Sequence, residues 1–142
     1  MNLGNKLLLA VCALALAALS LLPAGAVAAE KCPKGQTGTP PYCTTPSNKF
    51  WLHTIKHEGT SAKIKVKVSG PGVVTASAKD LLTTKATAKS SGRFWLPLKL
   101  SKAGIAAAQK APAGRLRVRV TFVFTPTGGN PAQKRKNITF KA

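Results

Sequence analysis

Residues 115–124 read RLRVRVTFVF. Leu116, Val118, Val120, Phe122 and Phe124 alternate with Arg115, Arg117, Arg119 and two smaller residues, the period of two that marks a half-buried β-strand. One face of this strand belongs to a core. The other is a row of cations, which either binds an anionic partner or is simply solvated.

Working outward, TPTGGNP is a loop of turn residues and NITFK a second strand, so residues 115–141 form a hairpin. Pairing the hairpin about that loop puts Lys141 close to Arg117 on the same face. Upstream, SKAGIAAAQKAPAG reads as a short helix near residues 101–110, with Ser101 as N-cap and Pro112 and Gly114 ending it. Before it, GRFWLPLKL sets Phe94, Leu96, Leu98 and Leu100 in register on one face. Pro97 cannot donate to a ladder, so this strand lies at an edge or carries a bulge. Strict alternation would expose Trp95 beside Lys99. A bulge at Pro97 would turn the ring inward, which the preference of sandwich cores for a large ring favours.

AKIKVKV repeats the opening pattern, with Ile64, Val66 and Val68 on one face and Lys63, Lys65 and Lys67 on the other. SGPG is a turn, GVVTASAK a strand and TTKATAK a weaker one. From Phe50 onward the chain therefore reads as about seven strands with one short helical crossing. Alternation with a single apolar face suits antiparallel sheets packed face to face. The expected class is all-β, an Ig-like antiparallel β-sandwich, with a single closed barrel as the alternative.

The chain opens with a short region carrying Lys6, an apolar run from Leu7 to Leu22 and small residues ahead of Glu30. This is the tripartite pattern of a secretory signal peptide, with cleavage after Ala28 or Ala29. The apolar run is shorter than the ~20 residues of a spanning helix, so no transmembrane segment is expected after cleavage. Cys12 sits in that run as an apolar filler. The expected organisation is a signal peptide over residues 1–29, a Pro/Gly/Thr-rich irregular segment over 30–49, and the sandwich over 50–142. Cys32 and Cys43 are the cysteines left in an exported chain and are expected to form a disulfide that stiffens the irregular segment.

The whole chain has 22 Lys and Arg against three acids, a formal charge of +19. Signal cleavage removes only Lys6 among them, leaving about +18, which favours anionic partners and a monomeric state. The acids are Glu30, Glu58 and Asp80, too few and too scattered for a carboxylate-pair hydrolase. No G-x-S-x-G elbow is present, and no Cys–His pair with an orienting acid. His53 and His57 are four apart beside Glu58; on a helix they could share a metal, but in a strand roughly 13 Å separates them. Neither catalytic residues, a metal site, a cofactor nor a small-molecule substrate is expected. Asn137-Ile138-Thr139 matches a glycosylation sequon but falls in a strand.

The run LSKAGIAAAQKAPAGRLRVRVTFVFTPTGG with the closing KNITFK resembles the Ig-like or fibronectin III-like β-sandwich domains of secreted actinobacterial proteins. In these an "lkLskaG" segment leads through a short helix to an alternating strand, a "TPxGG" turn and a last strand. CPKGQTGTPPYC is similar to cysteine-closed, proline-rich segments beside such domains. The resemblance spans roughly residues 60–142 plus that loop and implies a fold but no catalytic residues.

Arg115, Arg117 and Arg119 project every ~6.7 Å along a strand, where two charges repel by only ~0.6 kcal/mol in water. A cationic face is thus cheap to maintain without a ligand. The second lysine row and the scarcity of acids point further, to a binding surface made of Lys63, Lys65, Lys67, Arg115, Arg117, Arg119 and Lys141. The expectation is a secreted or cell-surface, non-enzymatic domain that adheres to anionic cell-envelope or extracellular polymers. An exported structural or spacer domain without a ligand is the alternative, followed by a toxic cationic protein or an enzyme using the two histidines.

Overall fold

The computed structural model describes residues 31–142. The segment expected to be a signal peptide, with its cleavage site, lies outside the described residues.

The described chain is mostly β, and every strand pairing in it is antiparallel. β1 (Thr37–Thr39) and β2 (Tyr42–Thr44) form a small ribbon. A three-stranded sheet has the order β3 (Phe50–Glu58), β4 (Ser61–Val68), β7 (Gly92–Lys99). A four-stranded sheet has the order β6 (Thr84–Ala88), β5 (Gly72–Ser77), β8 (Arg115–Pro126), β9 (Ala132–Lys141). Helix α1 (Lys102–Lys110) carries the chain from β7 in one sheet to β8 in the other.

Alternation decides which face of each sheet is buried. β4 turns Ala62, Ile64, Val66 and Val68 inward, and β7 adds Leu96 and Leu98. From the other sheet come Val74 and Ala76 of β5, Val118, Val120, Phe122 and Phe124 of β8, and Ile138 and Phe140 of β9. All belong to one hydrophobic cluster, and Phe50 and Phe124 meet across it with ring centroids 6.0 Å apart. Burying a side chain of this size is worth roughly 1.5–3 kcal/mol, so the shared cluster holds the two sheets together. Leu116, expected in the core, is only partly buried at the start of β8.

β3 explains an ambiguity of its sequence. Leu52 pairs with Val66 and Ile55 with Ile64, so three steps along β3 match two along β4. The extra residue is a bulge, which shifts the inward set from Phe50 and Leu52 to Ile55 and defeats a simple period of two. Lys136, reaching from β9 in the other sheet, donates to the carbonyl of His53 within the bulge at 3.3 Å.

Pro97 sits in β7 at the sheet's edge, and the β4–β7 register runs unbroken through Lys63↔Pro97. The expected helix is present. Ser101 caps it, its hydroxyl accepting from the Gly104 N–H at 3.1 Å, and Ala108 packs into the core. This satisfies one of the donors that every helix N-terminus leaves free.

Residues 31–49 are more ordered than their composition suggests. Cys32 and Cys43 are joined, with Cα atoms 5.6 Å apart, and the β1–β2 ribbon occupies the interval. The ribbon lies against the β8–β9 loop: a Cβ on Gly128 would overlap the Thr37 side chain. Composition misses the ribbon because its strands are three residues long and bury nothing completely. Among the described residues no helix is long and apolar enough to cross a membrane.

Candidate functional site

Because β4 is the middle strand of its sheet, its lysines stand in the centre of the outward face. The register sets their neighbours. Lys67 lies between Trp51 of β3 and Arg93 of β7, Lys65 beside Trp95 of β7, and Lys63 between Lys56 of β3 and Pro97 of β7. Lys99 completes the face opposite Ser61. The single carboxylate among these residues is Glu58, which accepts from Lys63 at 2.9 Å. Both side chains of that pair are about half exposed, so the ion pair is worth at most ~1 kcal/mol and leaves the face strongly positive.

The lysines stand over exposed rings. Trp51 is 40 % and Trp95 38 % exposed. Lys67 Nζ lies 5.2 Å from the Trp51 ring centroid, while Lys56 Nζ and Lys65 Nζ lie 5.1 and 5.6 Å from that of Trp95. Each contact contributes roughly 0.5–1 kcal/mol at an exposed site and, more usefully, restrains a long side chain. Lys65 and Lys67 are accordingly half-buried, whereas Lys63, held by Glu58 and not by a ring, is exposed. The inward turn expected of Trp95 is overturned. No bulge interrupts the β4–β7 register, so alternation holds and the ring faces outward. Phe94 and Leu96 fill the space beneath.

The arginine row belongs to the other sheet. Arg115, Arg117 and Arg119 are exposed on the outward face of β8, opposite Lys141, Thr139 and Asn137 of β9. Lys141 therefore sits across from Arg115, not Arg117 as the sequence implied. The hairpin turns about Gly128, the middle residue of TPTGGNP, whose φ of 70° is a left-handed conformation that suits glycine, so Lys141 pairs two residues nearer the start of β8 than expected. Arg135 joins this face opposite Thr121, and Lys85 of β6 opposite Thr75. The two sequence rows thus point away from each other on separate sheets instead of merging into one patch.

His53 and His57 both lie on β3 and are exposed. His53 is in the bulge. His57 lines a shallow recess with Arg115, Thr139 and Lys141, at the seam where β3 approaches β9. The surroundings of His57 are cationic, which suits an anion better than a metal ion. Among the described residues no three His, Cys, Asp or Glu side chains gather into a metal-ligand group.

Sequence reasoning missed Lys56, Arg93 and Trp51 on the first face and Arg135 and Lys85 on the second. Arg93 was within reach, since alternation from Phe94 puts it beside Trp95. Lys56 and Trp51 were hidden by the bulge in β3. Arg135 was hidden because AQKRK, the first half of β9, has no apolar residue after Ala132 to announce a strand.

The arrangement offers evenly spaced ammonium groups above flat indole rings on a broad, open surface. Such a surface suits repeated anionic groups, and its ring faces suit stacking on a sugar or a base. No family model matches the chain, and neither a curated protein nor a solved structure is found to match it.

Proposed function

We propose that this is a secreted, non-enzymatic, Ig-like domain that adheres to anionic polymers of the cell envelope or its surroundings through the outward face of β3, β4 and β7. The observation that carries the reading is the Lys63, Lys65 and Lys67 row flanked by Trp51, Trp95, Lys56 and Arg93, with one carboxylate to offset it. On a merely solvated face the exposed indoles do no more than restrain the lysines above them; a face that meets a polymer also uses their ring faces for stacking.

Strand order supports the Ig-like part. Lettering β3 to β9 as A to G gives sheets A-B-E and D-C-F-G. Constant-type immunoglobulin domains have A-B-E-D and C-F-G, so the difference is one edge strand, D, carried by the other sheet. Export rests on the amino-terminal pattern and agrees with the Cys32–Cys43 bridge, a bond that persists in oxidising compartments.

Adhesion is tested by measuring the affinity of the exported form for poly(glycerol phosphate) and for duplex DNA at several salt concentrations. The triple change Lys63→Ser, Lys65→Ser and Lys67→Ser is compared with the parent. For DNA, with all three ammonium groups at phosphates, the slope of log affinity against log salt shrinks by roughly two to three units through lost counterion release. A folded triple variant with the parent's affinity and slope removes this face from the function. A parent that holds neither polymer even at low salt leaves an exported spacer whose charge serves solubility.

A further inference from the structure

The outward face of β6, β5, β8 and β9 is the second strongly charged surface of the molecule. We infer that it is a second, independent polyanion-binding face, so that one protein molecule bridges two polymer chains. The inference rests on the adhesion proposed above and adds a cross-linking activity to it.

Three observations lead there. First, the second face is uncompensated. Arg115, Arg117, Arg119, Arg135, Lys141 and Lys85 all stand on it, and none of its four strands contains an aspartate or glutamate. Glu58, the one carboxylate carried by a described strand, is held by Lys63 on the opposite side of the molecule. Second, the chemistry differs between the faces. The first presents mainly lysines over indole rings, whereas the second presents mainly arginines among Thr139, Asn137 and Thr121, with no large ring exposed. Arginine's planar fork donates to two oxygens of a phosphate or sulfate at once, and the neighbouring hydroxyls and amide add further donors. Third, the faces look in opposite directions across a shared core. Packed sheets are about 10 Å apart, and the charged side chains extend outward from each. The two charge arrays are therefore separated by more than the ~10 Å screening length of 0.1 M salt. Occupying one face leaves the potential at the other nearly unchanged, and a chain lying flat on one sheet cannot touch the other.

A single polymer wrapped around the β3–β9 seam is the competing geometry. It would form a one-to-one complex and link nothing. Lys134, lodged over the Phe50 ring at 5.3 Å, and Lys136, bonded to the His53 carbonyl, are drawn toward the protein at that seam and are less available to lead a chain around it.

The test uses the exported form, shown to be monomeric by sedimentation, and beads coated with poly(glycerol phosphate). Bead capture of protein and bead clumping are read separately. The parent is expected to clump beads at low protein-to-polymer ratio and to disperse them in excess, when every molecule occupies one bead only. Two folded variants are compared: Lys63→Ser, Lys65→Ser, Lys67→Ser, and Arg115→Ser, Arg117→Ser, Arg119→Ser. Each is expected to remain captured with affinity lowered at least several-fold, and to lose clumping at protein loads matched to the parent's. A parent that is captured but never clumps beads overturns bridging while leaving adhesion intact. Clumping that survives in both variants overturns it too, as does capture that depends on one triple and ignores the other. A parent that is not captured at all removes adhesion and bridging together.

Discussion

Val118→Asp tests the assignment of faces on β8 most sharply, because its neighbour Arg117 predicts the opposite result. Val118 is 5 % exposed and pairs with Ile138, itself buried, so an introduced carboxyl meets apolar groups and no cation in register. The change forfeits roughly 1.5–3 kcal/mol of valine burial. Leaving a polar group without partners adds about 1–3 kcal/mol. The sum, about 2.5–6 kcal/mol, is a large part of the 5–15 kcal/mol that stabilises an ordinary domain. At about 4 °C per kcal/mol, the thermal midpoint falls by roughly 10–24 °C, or folding is lost. Burial raises the folded-state pKa of the new carboxyl above its unfolded value. The linked penalty is then absent below about pH 4, where both states hold the proton, and grows as pH rises through the unfolded pKa. The stability gap to the parent should accordingly narrow at pH 3. Arg117→Ser, on the exposed side of the same strand, should move the midpoint by no more than a degree or two. Thermal and urea unfolding followed by circular dichroism measure both variants. Equal effects at the two positions, or a Val118→Asp protein as stable as the parent, would refute the alternation on which both faces depend.

Gly104→Ala should destabilise, although alanine in a helix usually gains about 1 kcal/mol over glycine. A Cβ at Gly104 would overlap the carbonyl oxygen of Asp80, the group that also accepts from Ser101 N–H at 2.9 Å, so α1 must move off its seat. A loss of about 1–3 kcal/mol in urea unfolding is expected, and a gain would show that the contact is not maintained. Removing residues 31–47 should leave cooperative unfolding intact with a small fall in midpoint, because every fully buried apolar residue of the described chain lies at Phe50 or beyond. Non-cooperative melting of that truncated protein would instead make the ribbon part of the folding unit.

The strands that were easiest to read are those in the middle of a sheet. β4 and β8 have a partner on each side and one face fully covered, so every second residue must be apolar and the pattern is uninterrupted. Edge strands were harder, for physical reasons. β9 needs an apolar inner face only where the opposite sheet covers it, at Ile138 and Phe140. Nearer the loop the same side carries Lys134 and Lys136, which also discourage further strand pairing at an exposed edge. β3, the edge of the other sheet, is read out of phase because its bulge adds a residue.

The site follows the same logic one level up. Each basic row is a local property of one strand, visible in AKIKVKV and RLRVRVTFVF without any structure. Whether the rows add or oppose depends on sheet membership, which is decided by contacts distant in sequence: β4 pairs with β7, and β8 with β5. Had both strands entered one sheet, their like charges would have met side by side, where even a modest repulsion per pair accumulates along the ladder. Instead β4 takes Arg93, Trp95, Pro97 and Lys99 as its outward neighbours on β7, while β8 takes Ser77, Thr75 and Val73 as the outward residues of β5. Uncharged partners thus stand beside part of each row, while Lys67 faces Arg93, Lys63 faces Lys56 and Arg115 faces Lys141 within the sheets. A chain this basic can keep its charge in two separated arrays, and that separation is the structural basis for reading the domain as two-sided.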